Sequence, residues 1–402
     1  MSNMYDFILK LPEGSKKVLS IIQKYGPIGR VELIEKTGFK MTKILRLTEP
    51  LEESDLVLRL GEGSSTGGRK PMLFDINTKK WFIAGFSIAT SKFSVSISNL
   101  KSEVIVHKTF DMEKSIDPSE YLDISISAFY NLLEEKDIEI SSIIGVGISA
   151  FGSIDRKKGI ILKQSVSYLS EKWVNYPIVE RFEERLKLPA ALDIGVVGEM
   201  LAYHLYNEKY NVDNLVYLSA SMSIRMAVIS RGIIVRSTND SDDALGHMTV
   251  KYDGKKCTCG NYGCIECYST VAAITSGYTS ALKLGRKGTI NKEIEEITFI
   301  DIAKAADEGE QLAADIITEA ASVLACGLAN YINLVNVDIA IISGLTVRYS
   351  KLYYEVLKEA TYRRIGLLSK DNSVEIASVD SSADVFTRGP SVIFLDNLLE
   401  NQ

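Results

Sequence analysis

The sequence predicts an α/β protein in two parts, a small winged helix-turn-helix head and a larger two-lobed α/β body. Three observations carry this. Apolar residues recur at helical spacing through the head, then switch at Trp81 to a period of two. From there strands and helices alternate towards the C-terminus, the mark of α/β organisation. Charge divides with the pattern. Residues 1–80 hold 14 Lys/Arg against 10 Asp/Glu, and the remaining 322 hold 32 against 42. A basic head on an acidic body suits a DNA-binding module joined to a domain of another purpose, although so small an imbalance decides nothing unaided.

At 402 residues the chain has room for two or three domains. It is 46% hydrophobic and 24% charged with a mean hydropathy of +0.06, which excludes a disordered or fibrous chain. No apolar stretch is expected to reach the roughly 18–20 residues that span a bilayer. The opening MSNMYDFILKLPEGSKK lacks the basic and apolar regions of a secretory signal, so a cytoplasmic protein without membrane attachment is expected.

In the head, Ser15 is placed to cap a helix with Val18, Leu19 and Ile22 on one face. Gly26-Pro27 stops it. A short helix over 30–36 follows, with Gly29 as N-cap and Leu33 and Ile34 inward, and Thr37-Gly38 makes the turn. A third helix starts near Lys40, with Ile44, Leu47 and Leu51 inward and Thr42, Lys43 and Arg46 outward. Pro50 should end or kink it about one turn later, because proline lacks the donor and crowds the preceding turn. This is the helix-turn-helix pattern, although any small three-helix bundle also satisfies it. Alternating segments 57–60 and 72–76 read as wing strands around GEGSSTGGRKP. The expected DNA contacts are Arg46 to base edges, Thr42 near the groove floor or walls, and Lys43 and Arg30 to phosphates. Arg69 and Lys70 form a basic hook, or equally a solvated linker.

The body opens with Phe82, Ala84, Phe86 and Ile88 in alternation, then 93–97 and 104–106, before a helix over 118–135. Three meandering strands before the first helix fit an actin/hexokinase-like, ribonuclease H-like core, which periodicity alone does not select.

Four of the five cysteines fall between positions 257 and 267. His247, Cys257, Cys259 and Cys264 form a His-x9-Cys-x-Cys-x4-Cys pattern, the Cys3His set that Zn²⁺ takes in closed structural sites. Gly254, Gly260 and Gly263 allow the tight turns this needs, and Cys267 lies beyond the compact group. One structural zinc per chain is expected.

The segments RVELIEKTG, STGGRKPMLFDIN, GVGISAFGSID, WVNYPIVERFEERLKLPAALD and LGHMTVKYDGKKCTCGNYGCIE together resemble the ROK family, specifically its NagC/XylR-type repressors, over nearly the whole chain. The resemblance implies domains at 1–79 (winged helix-turn-helix and linker), 80–190 (small lobe, completed by 389–402) and 191–388 (large lobe with the zinc). It implies a homodimer or tetramer binding an inverted repeat in double-stranded DNA upstream of carbohydrate-utilisation genes, released by a sugar or sugar phosphate. Asp193, His247 and Glu266 are the implied effector contacts, in a cleft between the lobes, with His247 serving zinc and ligand through different ring nitrogens.

The departures from the family bear on chemistry. ROK kinases hold ATP phosphates in glycine-rich turns. Here the corresponding stretches read Ser-Ile-Ala-Thr-Ser at 87–91 and Ser-Met-Ser-Ile-Arg-Met-Ala at 221–227, and Ser343-Gly344-Leu345 is thin. Non-glycine residues in such turns cost about 1–3 kcal/mol each, so phosphoryl transfer is not expected. Leu192 replaces the Asn before Asp193, and Ala244 stands where a sugar-binding Glu belongs. Arg225 is placed to meet a phosphorylated effector or simply to lie at a core edge. A catalytically dead effector and oligomerisation body is the leading expectation. The alternatives are a sugar kinase with a fused helix-turn-helix, and a body kept only as a protein-interaction module.

Overall fold

The computed structural model describes residues 3–60, 72–89, 92–112, 116–163, 170–236, 243–366, 374–379 and 383–399. Arg69 and Lys70 lie outside the described residues, as do Thr90 and Ser91.

The head begins one helix earlier than the sequence suggests. α1 (Asn3–Lys10) buries Met4 and Ile8, with Leu11 beyond it on the same face. α2 (Glu13–Tyr25) starts ahead of the expected Ser15 cap. Pro12 occupies the N-cap position, and Ser15 is buried, donating to the Leu47 carbonyl at 3.4 Å. β1 (Ile28–Gly29) leads into α3 (Arg30–Thr37), which Gly38 closes at φ 71°. α4 (Met41–Glu53) ends three residues after Pro50. β2 (Val57–Leu60) and β3 (Leu73–Ile76) complete an antiparallel sheet in the order β1-β3-β2. Val18, Ile22, Leu33, Ile44, Leu51 and Phe74 are fully buried at its centre.

That core continues past the head. Ile83, Leu100, Ile144 and Ala191 belong to the same apolar cluster, as do Ile393, Phe394 and Leu398 near the C-terminus. The chain therefore divides into two compact units, residues 1–206 with 384–402, and residues 207–383. Head and first lobe share one apolar cluster across residue 79, the expected end of the head. Residue 190, the expected end of the small lobe, opens a paired strand.

In the first unit β4 (Phe82–Ile88), β5 (Lys92–Asn99) and β6 (Val104–Asp111) form an antiparallel meander. α5 (Pro118–Glu135), capped by Asp117, returns the chain to β7 (Ile143–Ala150), parallel to β4. A hairpin of β8 (Ser153–Asp155) and β9 (Ile160–Lys163) and then α6 (Ile178–Leu186) lead to β10 (Ala190–Ile194), parallel to β7, and α7 (Gly195–Tyr206) follows. The sheet order is β10-β7-β4-β5-β6.

The second unit repeats the plan. β11 (Leu215–Ala220), β12 (Ile224–Ser230) and β13 (Ile233–Val235) meander. After α8 (Glu266–Ser269), α9 (Val271–Lys283), α10 (Phe299–Asp307) and α11 (Gln311–Leu334), β14 (Ile339–Ser343) adds in parallel to β11. α12 (Leu345–Tyr349) and α13 (Lys351–Ile365) then lead to β15 (Glu375–Ser378). The order β13-β12-β11-β14-β15 matches the first sheet strand for strand. Three antiparallel strands with two parallel strands added by helical crossovers, twice over, are the ribonuclease H-like, actin/hexokinase-like architecture expected.

α11 corrects one sequence expectation. It is long and apolar enough to cross a membrane by length and composition. It is instead a core helix, with Leu312, Ile317, Leu324, Leu328 and Ile332 buried inside the second unit.

α14 (Ala383–Leu399) returns the chain to the first unit. Its approach explains the glycines of β7. A Cβ at Gly147 would stand 1.8 Å from the Pro390 carbonyl oxygen, and one at Gly145 2.0 Å from the Phe394 ring.

Candidate metal centre and nucleic-acid interface

The segment after residue 243 makes a compact loop rather than regular structure. It is pinned to the second unit's core by Leu245 and Ile265, the latter packed over Gly327 of α11. Short bridges pair Thr249 with Cys264 and Lys256 with Tyr262. The Cys257 N–H donates to the Asn261 carbonyl at 2.8 Å, and the Gly260 N–H to the Cys257 carbonyl at 3.0 Å. Gly260 and Gly263 hold φ values of 96° and 66°, the left-handed region that glycine enters without penalty. At Gly263 a Cβ would also overlap the Lys251 carbonyl.

These turns converge the expected ligand set. One donor atom from each of His247, Cys257, Cys259 and Cys264 lies within 4.8 Å of all the others. Cys257 Sγ is 3.6 Å from His247 Nδ1, and Cys259 Sγ is 3.7 Å from Cys264 Sγ. Zinc–sulfur bonds of about 2.3 Å in a tetrahedron require sulfur–sulfur edges of about 3.7–3.8 Å, so the donors fit that ion. Burial pushes the Cys264 thiol up to about 12, with Cys257 adding to the effect. At Cys257 burial is outweighed by the Cys259 N–H, the neighbouring thiols and His247, which bring it down to about 7. A cation at the centre removes the conflict by deprotonating the thiols. Cys267 lies outside the four-donor set, its sulfur 3.8 Å from the Lys255 and Lys256 carbonyl oxygens.

His247 and Glu266 come together in this unit. The Glu266 N–H donates to the Gly246 carbonyl at 2.9 Å, and its side chain accepts from the Ile224 N–H at 3.0 Å. Asp193 belongs to the first unit, buried near the carboxyl end of β10 beside Leu192. Ser87 is buried within β4 and donates to the Phe386 carbonyl at 2.6 Å. Arg225 is buried and faces Asp243, a partner the sequence did not suggest. Arg225 stands alone among small and apolar residues, whereas Asp243 closes a polar, acidic run, so nothing local pairs the two.

In the head, Thr42, Lys43 and Arg46 are exposed together on α4, opposite buried Ile44, Leu47 and Leu51. Lys43 Nζ sits 3.7 Å over the Phe39 ring. Arg30, at the start of α3, lies against the wing, with Nη2 3.5 Å from Met72 Sδ and its guanidinium over Phe74. The wing is tied to α4 by Arg59, which donates to Glu52 at 3.0 Å.

The sequence of residues 84–396 matches the ROK family. The xylose repressor of Caldicellulosiruptor bescii is 26% identical over 352 residues, 86% of each chain. The DNA-binding transcriptional dual regulator NagC of Escherichia coli is 24% identical over 332 residues, 82% of this chain and 80% of that one. Among solved structures, a ROK family transcriptional regulator described as a homologue of the Escherichia coli MLC protein superposes with a TM-score of 0.81 at 21% identity, covering 96% of both chains. With the family's sequence pattern spanning most of its length and both sheets folded to one plan, this chain belongs to the ROK family.

Proposed function

We propose that this chain is a DNA-binding transcriptional regulator, a repressor of carbohydrate-utilisation genes, with a structural zinc and no kinase activity. The observation that carries the reading is the outward row of Thr42, Lys43 and Arg46 on the second helix of a helix-turn-helix backed by a wing. A helix so placed presents its early residues to the major groove. The names of the relatives, a xylose repressor and a DNA-binding transcriptional dual regulator, support it. A homodimer or tetramer of the cytoplasmic protein would set two heads on an inverted repeat, Arg30 and Lys43 on phosphates, Arg69 and Lys70 as additional basic contacts. Zinc in the Cys3His set leaves no open coordination position, so its role is to hold the 243–267 loop on the second unit.

The absence of kinase activity rests on Arg225, a bulky side chain buried where phosphate-binding glycines are expected. ATP turnover with hexoses or amino sugars, abolished by Asp193→Asn, would refute it. For the effector, a sugar or sugar phosphate contacting Asp193, His247 and Glu266 remains the family-based reading. A second reading, in which the body is an interaction module without a small ligand, is favoured by Leu192 and Ala244 and by the internal pairing of Arg225 with Asp243. Thermal stability across a sugar panel separates the two.

The test of the main reading is selection of bound duplexes from a random pool. An enriched inverted repeat is expected, with half-site centres one helical turn or a multiple apart. No enrichment over random DNA overturns it.

A further inference from the structure

Beside the four metal-facing side chains, the second unit buries a second set of charged groups. Arg225, near the start of β12, and Asp243, at the start of the 243–267 loop, are 7% and 8% exposed. Asp243 Oδ2 stands 3.3 Å from Arg225 Nη1 and 3.5 Å from His247 Nε2. Arg225 is itself oriented, its Nε donating to Ser223 Oγ at 2.9 Å in the turn between β11 and β12. Across the imidazole, His247 Nδ1 faces Cys257 Sγ at 3.6 Å. A guanidinium, a carboxylate and an imidazole thus stand in line, ending at the thiols.

Stability alone does not account for the line. Taking an arginine and an aspartate out of water costs several kcal/mol per ion, and apolar residues of similar volume commonly serve a core as well or better. The imidazole supplies a reason. A metal-binding histidine is neutral and carries one ring proton, and the acceptor that takes this proton decides which nitrogen is free to bind. Carboxylates facing the outer nitrogen of a ligand histidine fix its ring orientation and make it a better donor to the metal.

We propose that Asp243, held in place by Arg225, is the positioning residue of the metal centre. It accepts the Nε2 proton of His247, so that the Nδ1 lone pair is directed at the zinc. The inference rests on the zinc reading above and extends it to two residues outside the Cys3His set. It also changes what His247 is free to do. With Nδ1 given to the metal and Nε2 to Asp243, the ring has no nitrogen left for a sugar hydroxyl. The dual role expected of His247 is then taken over by the protein's own carboxylate, and an effector reaching that ring must first displace Asp243 from Arg225.

The test uses the full-length protein, with zinc content by elemental analysis and zinc affinity by competition with a chromophoric chelator. Wild type should carry one zinc per chain. Asp243→Asn should weaken zinc binding by about 10–100-fold, the range found when such outer partners are removed. Because the asparagine variant leaves Arg225 buried without its counter-charge, a paired variant, Arg225→Met with Asp243→Leu, guards against simple misfolding. It keeps the volume apolar, should leave the zinc-free protein as stable as wild type, and should show the same loss of affinity. Cobalt-loaded samples add a spectroscopic readout, since a loosened histidine shifts the tetrahedral Cys3His absorption bands.

A wild-type chain without zinc overturns the metal reading and this inference with it. A zinc-loaded wild type whose folded paired variant binds zinc equally tightly overturns this inference alone. So does an affinity loss in both variants matched by an equal loss of stability in the zinc-free proteins, which would make Asp243 a packing residue.

Discussion

Lys101, in the turn between β5 and β6, donates to the Asp75 carboxylate of the wing at 2.9 Å and to the Gly26 carbonyl at the end of α2 at 3.0 Å. Both side chains are mostly buried, at 20% and 16% exposure, so the pair is shielded from the solvent that makes surface ion pairs weak. The same turn is gripped from behind, since Arg388 of α14 donates to the Lys101 carbonyl at 3.1 Å. Lys101→Ala should cost about 1.5–3 kcal/mol, the range for hydrogen bonds to charged groups. Urea denaturation measures it, and amide exchange should quicken around residues 22–30. A variant matching wild type in both would show that the apolar core alone docks the head.

Removing one metal ligand should release the 243–267 loop. Cys259→Ser is expected to abolish zinc binding and destabilise the second unit by several kcal/mol, because binding energy in such sites is folding energy. Thermal melts with and without a strong chelator provide the check. Wild-type melts unmoved by the chelator, with no zinc found in the protein, would count against a structural metal.

On DNA, Arg46→Ala and Lys43→Ala should fail differently. Arginine reads guanine through two hydrogen bonds, so its loss should relax preference at one symmetric pair of positions, at about 1–3 kcal/mol per site. Loss of Lys43 should weaken all sequences alike and lower the salt slope by about one unit per phosphate contact. Binding titrations on selected and scrambled duplexes at several salt concentrations distinguish these. Two silent variants would move the interface off α4.

Gly147→Ala tests the seat of α14. The added methyl would meet the Pro390 carbonyl oxygen, a backbone atom that cannot rotate away, so the helix must lift. Overpacking of this kind costs about 1–3 kcal/mol, and more where backbone is the obstacle. Chemical denaturation gives the number, and a neutral outcome would mean that α14 shifts freely on the sheet.

The legible parts of the molecule were the local ones. His247 and the three cysteines lie within eighteen positions and chelate through short turns, so spacing alone proposed the centre. The head was readable because α3, its glycine turn and α4 repeat a compact apolar pattern. What escaped were relationships between distant residues. α1 is short, and its partner for Tyr5 is Phe394, at the other end of the chain. Ser15 looked like a cap because its hydroxyl is suited to one, yet Leu47 across the bundle claims it. Asp243 and Arg225 meet through tertiary folding with no local signature. The duplicated sheet order could not be seen because the two halves share strand pairing rather than residues.

The core that runs unbroken from Val18 through Ile144 to Phe394 has a practical meaning for anyone redesigning DNA specificity. A chimera spliced at residue 79 would uncover Ile83, Ile144, Ile393 and Phe394 on the recipient and present them with a stranger's surface. On the DNA contacts proposed for α4, exchange of operator preference is therefore better made by repainting its outer face than by transplanting the head, since only the former leaves the buried seam intact.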